Sequence, residues 1–260
     1  MAQSLLSYGP SEAPAALVFA HGAGASEQSP FMEAIAAGLS SRGWLVHRFV
    51  FPYMRRSQER GRRCPPDRAP VLLQCFREVV EEVVSDRPVF IGGKSMGGRI
   101  ASMLLNELST STAVRAGLCF GYPFHPLGQP ARVRTEHLDQ LRAPLLILQG
   151  ERDPMGSTDE VPGYDLKSPL QLQWIPDGDH SFKPRKRSGR TEAMNLDLAV
   201  DFAHSSWVIC SLESSSRIPL SCFRNKAVGP SCSGPPREGV FLWPGFSTIT
   251  AELGGLLPIG

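Results

Sequence analysis

Short strand-like runs recur along the chain: Ala16–Ala20, Val89–Ile91, Ala116–Phe120 and Leu145–Gly150 are apolar, Trp44–Phe51 mixes apolar with basic residues, and Leu170–Ile175 is a further strand. Runs of this length without polar alternation predict strands buried on both faces of a sheet. Between them the apolar positions change to helical spacing. Phe31, Ile35 and Leu39 share one face, opened by Ser29-Pro30 and closed by Gly43. Leu72, Leu73, Phe76, Val79, Val80 and Val83 form a second stripe, with Arg77, Glu78, Glu81 and Glu82 opposite. Ile100, Leu104, Leu105 and Leu108 form a third, and Met194, Leu198 and Phe202 begin a last one. Strands alternating with helices predict an α/β domain.

The segments between these elements also have a character. Pro52 ends the second strand, and residues 54–68 are rich in arginine, which predicts a basic loop. Gly121 to Pro130 holds too many prolines for a helix or a ladder and predicts a rigid loop. Ser157-Thr158-Asp159-Glu160 reads as a capping box opening a short helix. From Ser205 the periodicity is lost and serine, proline and glycine rise, so the expected division is a domain over 1–204 and a tail over 205–260 with little capacity to bury apolar surface.

Composition narrows the class. A net charge of +2 over 260 residues gives no general reason to expect a nucleic-acid partner. No apolar run approaches the length of a membrane span, and Met1–Pro10 lacks the basic and apolar regions of a secretory leader. The six cysteines form no C-x-x-C pair and read as free thiols, so a cytoplasmic location is expected, with no metal and no cofactor.

The chemistry centres on Gly93-Lys94-Ser95-Met96-Gly97, a G-x-S-x-G between a strand and a helix. That context predicts a sharp corner exposing the Ser95 hydroxyl, with Gly93 and Gly97 where strand and helix come too close for side chains. The strand Ala16–Ala20 runs into His21-Gly22-Ala23-Gly24, where a backbone N–H can approach a substrate. Asp153 and His180 each follow a later strand, giving the chain order Ser95, Asp153, His180. A serine needs a histidine to take its proton, the histidine needs a carboxylate, and the oxyanion needs two donors, here the N–H groups of Ala23 and Met96. Glu151, Asp177 and Asp179 are rivals for the acid; Asp153 is preferred because a residue adjacent to the histidine rarely reaches its ring. His21, Gly24, His125, Arg62 and Arg63 are further candidates for substrate contacts, with His21 read as orienting its loop rather than acting as a base and His125 equally as a structural loop histidine. The arginines of 55–68 and 185–190 suggest a small-molecule substrate with acidic groups.

The stretches H-G-A-G-A, G-K-S-M-G-G-R, G-Y-P-F-H-P, Q-G-x-R-D-P and D-G-D-H-S-F-K-P occur in order over residues 1–203. Together they resemble the α/β-hydrolase superfamily, and within it the small family related to dienelactone hydrolases. That family includes the hydrolase-like domain of a non-specific-lethal complex subunit and its testis-expressed relative. The resemblance implies an α/β-hydrolase fold: a mostly parallel central sheet with helices on both faces and no cap domain. It carries Ser95, Asp153 and His180 over as the triad but supplies no substrate; the triad order with both oxyanion loops is what points to a serine hydrolase acting on a small ester, thioester or lactone. Ser95 stands where dienelactone hydrolases proper use cysteine. The alternative is a non-catalytic scaffold that keeps the fold as an interaction surface.

Overall fold

The structure, a computed structural model, describes residues 5–83, 87–166 and 169–215. The strands are β1 (Leu6–Tyr8), β2 (Ala15–Ala20), β3 (Trp44–Phe49), β4 (Val89–Lys94), β5 (Val114–Phe120), β6 (Leu145–Gly150) and β7 (Leu170–Ile175). The helices are α1 (Pro30–Ser41), α2 (Pro52–Arg60), α3 (Ala69–Val83), α4 (Met96–Ser111) and α5 (Glu192–Ser215). The strands form one sheet in the order β1-β3-β2-β4-β5-β6-β7. All neighbours are parallel except β1, which pairs antiparallel with β3. No helix among the described residues is long and apolar enough to cross a membrane.

The sheet is covered on both faces, which is why β2, β4 and β6 read as apolar runs. Leu17, Phe19, Phe90, Leu118, Phe120, Leu146 and Leu148 join a core with Met32, Ile35 and Leu39 of α1 and Ala199, Val200 and Ala203 of α5. Their neighbours in sequence, Val18, Val89, Ile91, Cys119, Leu145 and Ile147, join the opposite core with α3 and α4. Successive strand residues point to opposite faces, so each strand feeds both cores. Fully burying one such Leu or Phe is worth about 1.5–3 kcal/mol.

Local chemistry corrects several boundaries. The basic loop expected over 54–68 opens as helix α2, because Pro52 at the first helical position fixes a helical φ and Gly61, at φ 61°, closes it. Only Tyr53 of α2 is buried, so its sequence carries no apolar stripe. The box at Ser157–Glu160 is half formed: Glu160 Oε2 accepts from the Ser157 backbone N–H at 3.0 Å, yet only a 3₁₀ turn, Val161–Tyr164, follows. In α5 the buried face is Asn195, Ala199, Val200 and Ala203, while Met194 is 46 % exposed. Small residues win there because α5 lies close against α1, where a Cβ on Gly38 would come within 2.8 Å of Val200. The helix is continuous across the expected boundary at 204/205, and the rest of the expected tail, from 216, lies outside the described residues.

The connection from β5 to β6 holds one 3₁₀ turn, Leu138–Gln140, and no inserted domain. The strand order reverses direction between β2 and β4, because β3 lies on one side of β2 and β4 on the other. At such a point the loops leave the carboxyl ends of the strands in opposite directions and open a crevice. The residues delivered there are His21–Ala23 after β2 and Ser95 after β4.

The corner between β4 and α4 leaves no room for side chains at either glycine. A Cβ on Gly93 would sit 2.5 Å from the carbonyl carbon of Gly97 and 2.6 Å from Ala20 O, and one on Gly97 would sit 2.4 Å from Ala20 O. These neighbours are backbone and cannot rotate away. Gly93→Ala is therefore expected to lose about 1–3 kcal/mol in denaturant unfolding. Gly163→Ala, with nothing within 4 Å of its added carbon, is expected to change stability by less than about 0.5 kcal/mol.

Candidate active site

Ser95 stands between the last residue of β4 and the first of α4 with φ 53° and ψ −115°. A side chain at positive φ is strained, and the surrounding backbone enforces it. Ser95 N–H donates to Phe120 O at 3.0 Å, which extends the sheet, and Arg99 N–H donates to Ser95 O at 3.1 Å, which starts the helix. The residue must satisfy both ladders within one peptide unit. The N–H of Met96 heads the first turn of α4, where helical N–H groups have no partner inside the helix.

The loop after β2 is held against this corner. A Cβ on Gly22 would lie 3.5 Å from Ser95 Cβ. His21 is fully buried; its Nε2 accepts from Phe51 N–H at 3.1 Å and its Nδ1 lies 2.8 Å from Gly22 O. The pairing fixes a neutral ring with its proton on Nδ1, and burial pushes its pKa down. Tyr53 Oη lies 3.1 Å from Gly22 O and 3.2 Å from Ala23 O, within donating distance of both. Both ring nitrogens of His21 are thus used inside the protein, and the ring orients the loop.

His180 follows β7, and its Nδ1 lies 2.7 Å from Asp153 Oδ2. Asp153 is wholly buried and accepts two further bonds, from Gln149 Nε2 at 2.9 Å and from Met155 N–H at 2.9 Å. Gln149 also accepts from Tyr122 N–H at 2.7 Å and lies within donating distance of Tyr122 O and Gly156 O. It therefore ties the end of β6 to the loop after β5. Burial pushes the His180 pKa below its ordinary value; the Lys94 charge adds to this, and the bond to Asp153 opposes it.

The rival acids are engaged elsewhere. Asp177 pairs with Arg185 and with Arg152, which holds its carboxyl low, at about 2. Asp179 Oδ1 accepts from Ser181 N–H at 2.8 Å and Lys183 N–H at 3.0 Å, closing its own turn. Glu151 accepts from Asp177 N–H at 2.7 Å. The loop carrying His180 is anchored besides by Asn195, whose Nδ2 donates to Pro176 O and Phe182 O. Positive φ at Asp177 (50°) and Phe182 (67°) brackets the histidine, so strain gathers on both sides of the site.

Other expected residues divide into two groups. Gly24, Arg62 and Arg63 come together, lining a cleft of about 380 Å³ with Ala23, Ser57 and Gln58. His125 is enclosed instead, 2 % exposed, with Nδ1 at 2.9 Å from Pro126 O and Nε2 at 3.4 Å from Glu160 Oε2. It pins one loop to another, the structural one of its two expected roles. The second basic cluster is likewise partly structural, with Arg185 bound to Asp177 and Arg190 to Asn195. Sequence reasoning assigned no role to Gln149, Tyr53, Asn195 or Lys94. Gln149 and Lys94 lie inside quoted motifs, and an amide or amine within an otherwise buried strand end is the signal that could have found them.

A serine–histidine contact lies away from Ser95, in α4. Ser102 Oγ lies 2.8 Å from His137 Nε2, in the second turn of α4. The same oxygen lies 2.8 Å from Arg99 O, which can only accept. Ser102 has one proton, and giving it to Arg99 O makes His137 the donor rather than the base.

The comparisons agree with this architecture. The family described as alpha/beta hydrolase domain matches residues 13–208. A dienelactone hydrolase from Anabaena variabilis is similar in structure, with TM-score 0.60 at 22% identity over 79% of this chain and 90% of that one. An α/β serine hydrolase without a lid from Xanthomonas campestris gives TM-score 0.57 at 19% identity over 78% and 88%. An α/β serine hydrolase homologue from Coxiella burnetii gives 0.57 at 18% identity over 76% and 90%.

The strain at Ser95 is directly measurable. Ser95→Gly is expected to be more stable than Ser95→Ala by about 1 kcal/mol in denaturant unfolding, because only glycine adopts this φ without cost. The fold, the crevice at the reversal of strand order and the match over most of the length together make this chain a member of the α/β-hydrolase family.

Proposed function

We propose that the protein is a serine hydrolase that cleaves a small ester, thioester or lactone through an acyl-enzyme on Ser95. The observation that carries this reading is the 2.7 Å contact between His180 and a buried Asp153, at the sheet edge that also carries a serine held at positive φ. Asp153 accepts the Nδ1 proton, which leaves Nε2 of His180 as the free base. His180 takes the Ser95 proton as Oγ bonds to the substrate carbonyl carbon. The carbonyl oxygen becomes an oxyanion, met by the N–H groups of Ala23 and Met96. The bond to the leaving group breaks as His180 returns the proton to its oxygen or sulfur. Water then attacks the acyl-enzyme by the same steps and frees Ser95.

The open rim suits small or extended substrates. Arg62 and Arg63 have no ion pair among the described residues, and they face the cleft that runs from Ala23. An acidic group on the substrate fits there.

The turnover test uses short p-nitrophenyl esters. Ser95→Ala and His180→Ala are each expected to lose at least about 10³-fold in kcat/KM, whereas Ser102→Ala stays within about threefold of wild type. Equal activity in Ser95→Ala, or loss in Ser102→Ala alone, overturns the assignment. The pH profile has a defined sign. The base must be neutral, so kcat/KM falls as pH drops through the His180 pKa, and that midpoint lies below the ordinary histidine value. A plateau ending above it contradicts the buried-base geometry.

The charge preference is tested with an anionic and a neutral ester of equal size. The anionic ester is expected to gain several-fold in kcat/KM at low salt, and the gain should shrink at high salt and vanish in Arg62→Ala/Arg63→Ala. Equal rates at every salt concentration remove the acidic-substrate reading.

A further inference from the structure

Lys94 is the residue between Gly93 and Ser95, and it is 8 % exposed. Its ammonium donates to the backbone carbonyl of His180. The nitrogen lies 5.1 Å from the centre of the Phe31 ring and 5.8 Å from that of Phe182, two aromatic faces from α1 and from the His180 loop. On a further side stands Gly121, where a Cβ would fall 2.6 Å from the ammonium nitrogen and 3.4 Å from His180 Cε1. Burying a lysine ammonium costs several kcal/mol even after relaxation. Here that cost is met in one place, by a carbonyl bond and two ring faces, close to the imidazole.

We propose, resting on the hydrolase reading above, that Lys94 is a positioning residue for the His180 base, clamping its backbone to the nucleophile strand and holding a positive charge near its ring. The clamp joins the two partners of the proton transfer through one side chain. Ser95 is the next residue along the strand, and His180 is gripped at its own carbonyl, so any shift of one carries the other. A misplacement of about 1 Å at such a pair can cost on the order of 10²-fold in rate. The charge has a separate effect. It opposes protonation of the imidazole in the resting enzyme, so His180 stays a free base to lower pH. The charged and titratable groups around the ammonium are His180 itself with Asp153 and Asp179; the two carboxylates favour the cation, and burial pulls the Lys94 pKa down to about 8. Phe31, Phe182 and Gly121 supply the uncharged walls.

The test uses the full chain with labelled histidine and follows the His180 imidazole by NMR through a pH titration. Lys94→Met removes charge and donor; Lys94→Gln removes the charge and keeps a donor. Both are expected to raise the His180 midpoint, by at least about threefold in proton affinity. With an ester substrate, Lys94→Met is expected to lose about tenfold or more in kcat with KM within about twofold, and Lys94→Gln to lose less. An unchanged His180 midpoint in both folded variants overturns the proposal. So does loss of the fold in both variants, which makes Lys94 structural only. The titration needs no turnover. If Ser95→Ala and His180→Ala leave activity intact, the hydrolase reading fails while the titration still reports whether Lys94 acts on His180.

Discussion

The close approach of three backbones around Ser95 is the constraint on which the rest of the structure depends. The end of β2, the end of β4 and the first turn of α4 meet with no room for a side chain at Gly93 or Gly97. Ser95 is thereby forced to positive φ, and its N–H and C=O are claimed by a strand on one side and a helix on the other. A strained residue persists only when its surroundings over-determine it. The two sheet-covering cores supply that rigidity, because each strand reaching the crevice contributes apolar side chains to both.

Around this corner lies a set of buried polar groups whose bonds are internal. His21 and Tyr53 fix the loop after β2, Gln149 fixes Asp153, and Asn195 and Lys94 fix the loop of His180. Each joins segments far apart in sequence. Buried polar groups cost stability unless every one is satisfied, and once satisfied they hold one arrangement in place. Their common effect is to hold Ser95, the Ala23 loop, Asp153 and His180 at one sheet edge. The acid partner is decided by this bonding rather than by sequence proximity. Asp177 and Asp179 are nearer to His180 in sequence, yet arginines and turn N–H groups occupy them.

Much of this was legible in the chain, for physical reasons that can be named. Strands buried on both faces have no polar alternation, so β2, β4 and β6 stand out as apolar runs. The elbow was legible because only glycine fits where Gly93 and Gly97 lie. The rest was hidden by tertiary effects. Helix α2 is polar from Arg55 to its end, buries only Tyr53 and carries no stripe. Strand β1 has three residues, too few for a period, and exists through its pairing with β3. The buried face of α5 follows close packing on Gly38 of α1, which favours Ala199 and Ala203 over the larger Met194. For His21 and His125 the chain left a structural role and a substrate contact both open, because a histidine's partners are set by the backbone folded around it. Lys94 escaped attention because lysine is ordinarily exposed.

The central claim is that Ser95 is the nucleophile. The most direct measurement is mass spectrometry of the full chain after reaction with a fluorophosphonate, with the adduct mapped to a peptide. The account predicts one equivalent of adduct on Ser95, abolished in His180→Ala and retained in Ser102→Ala. An adduct on Ser102, or a chain that stays unlabelled while folded, would contradict it.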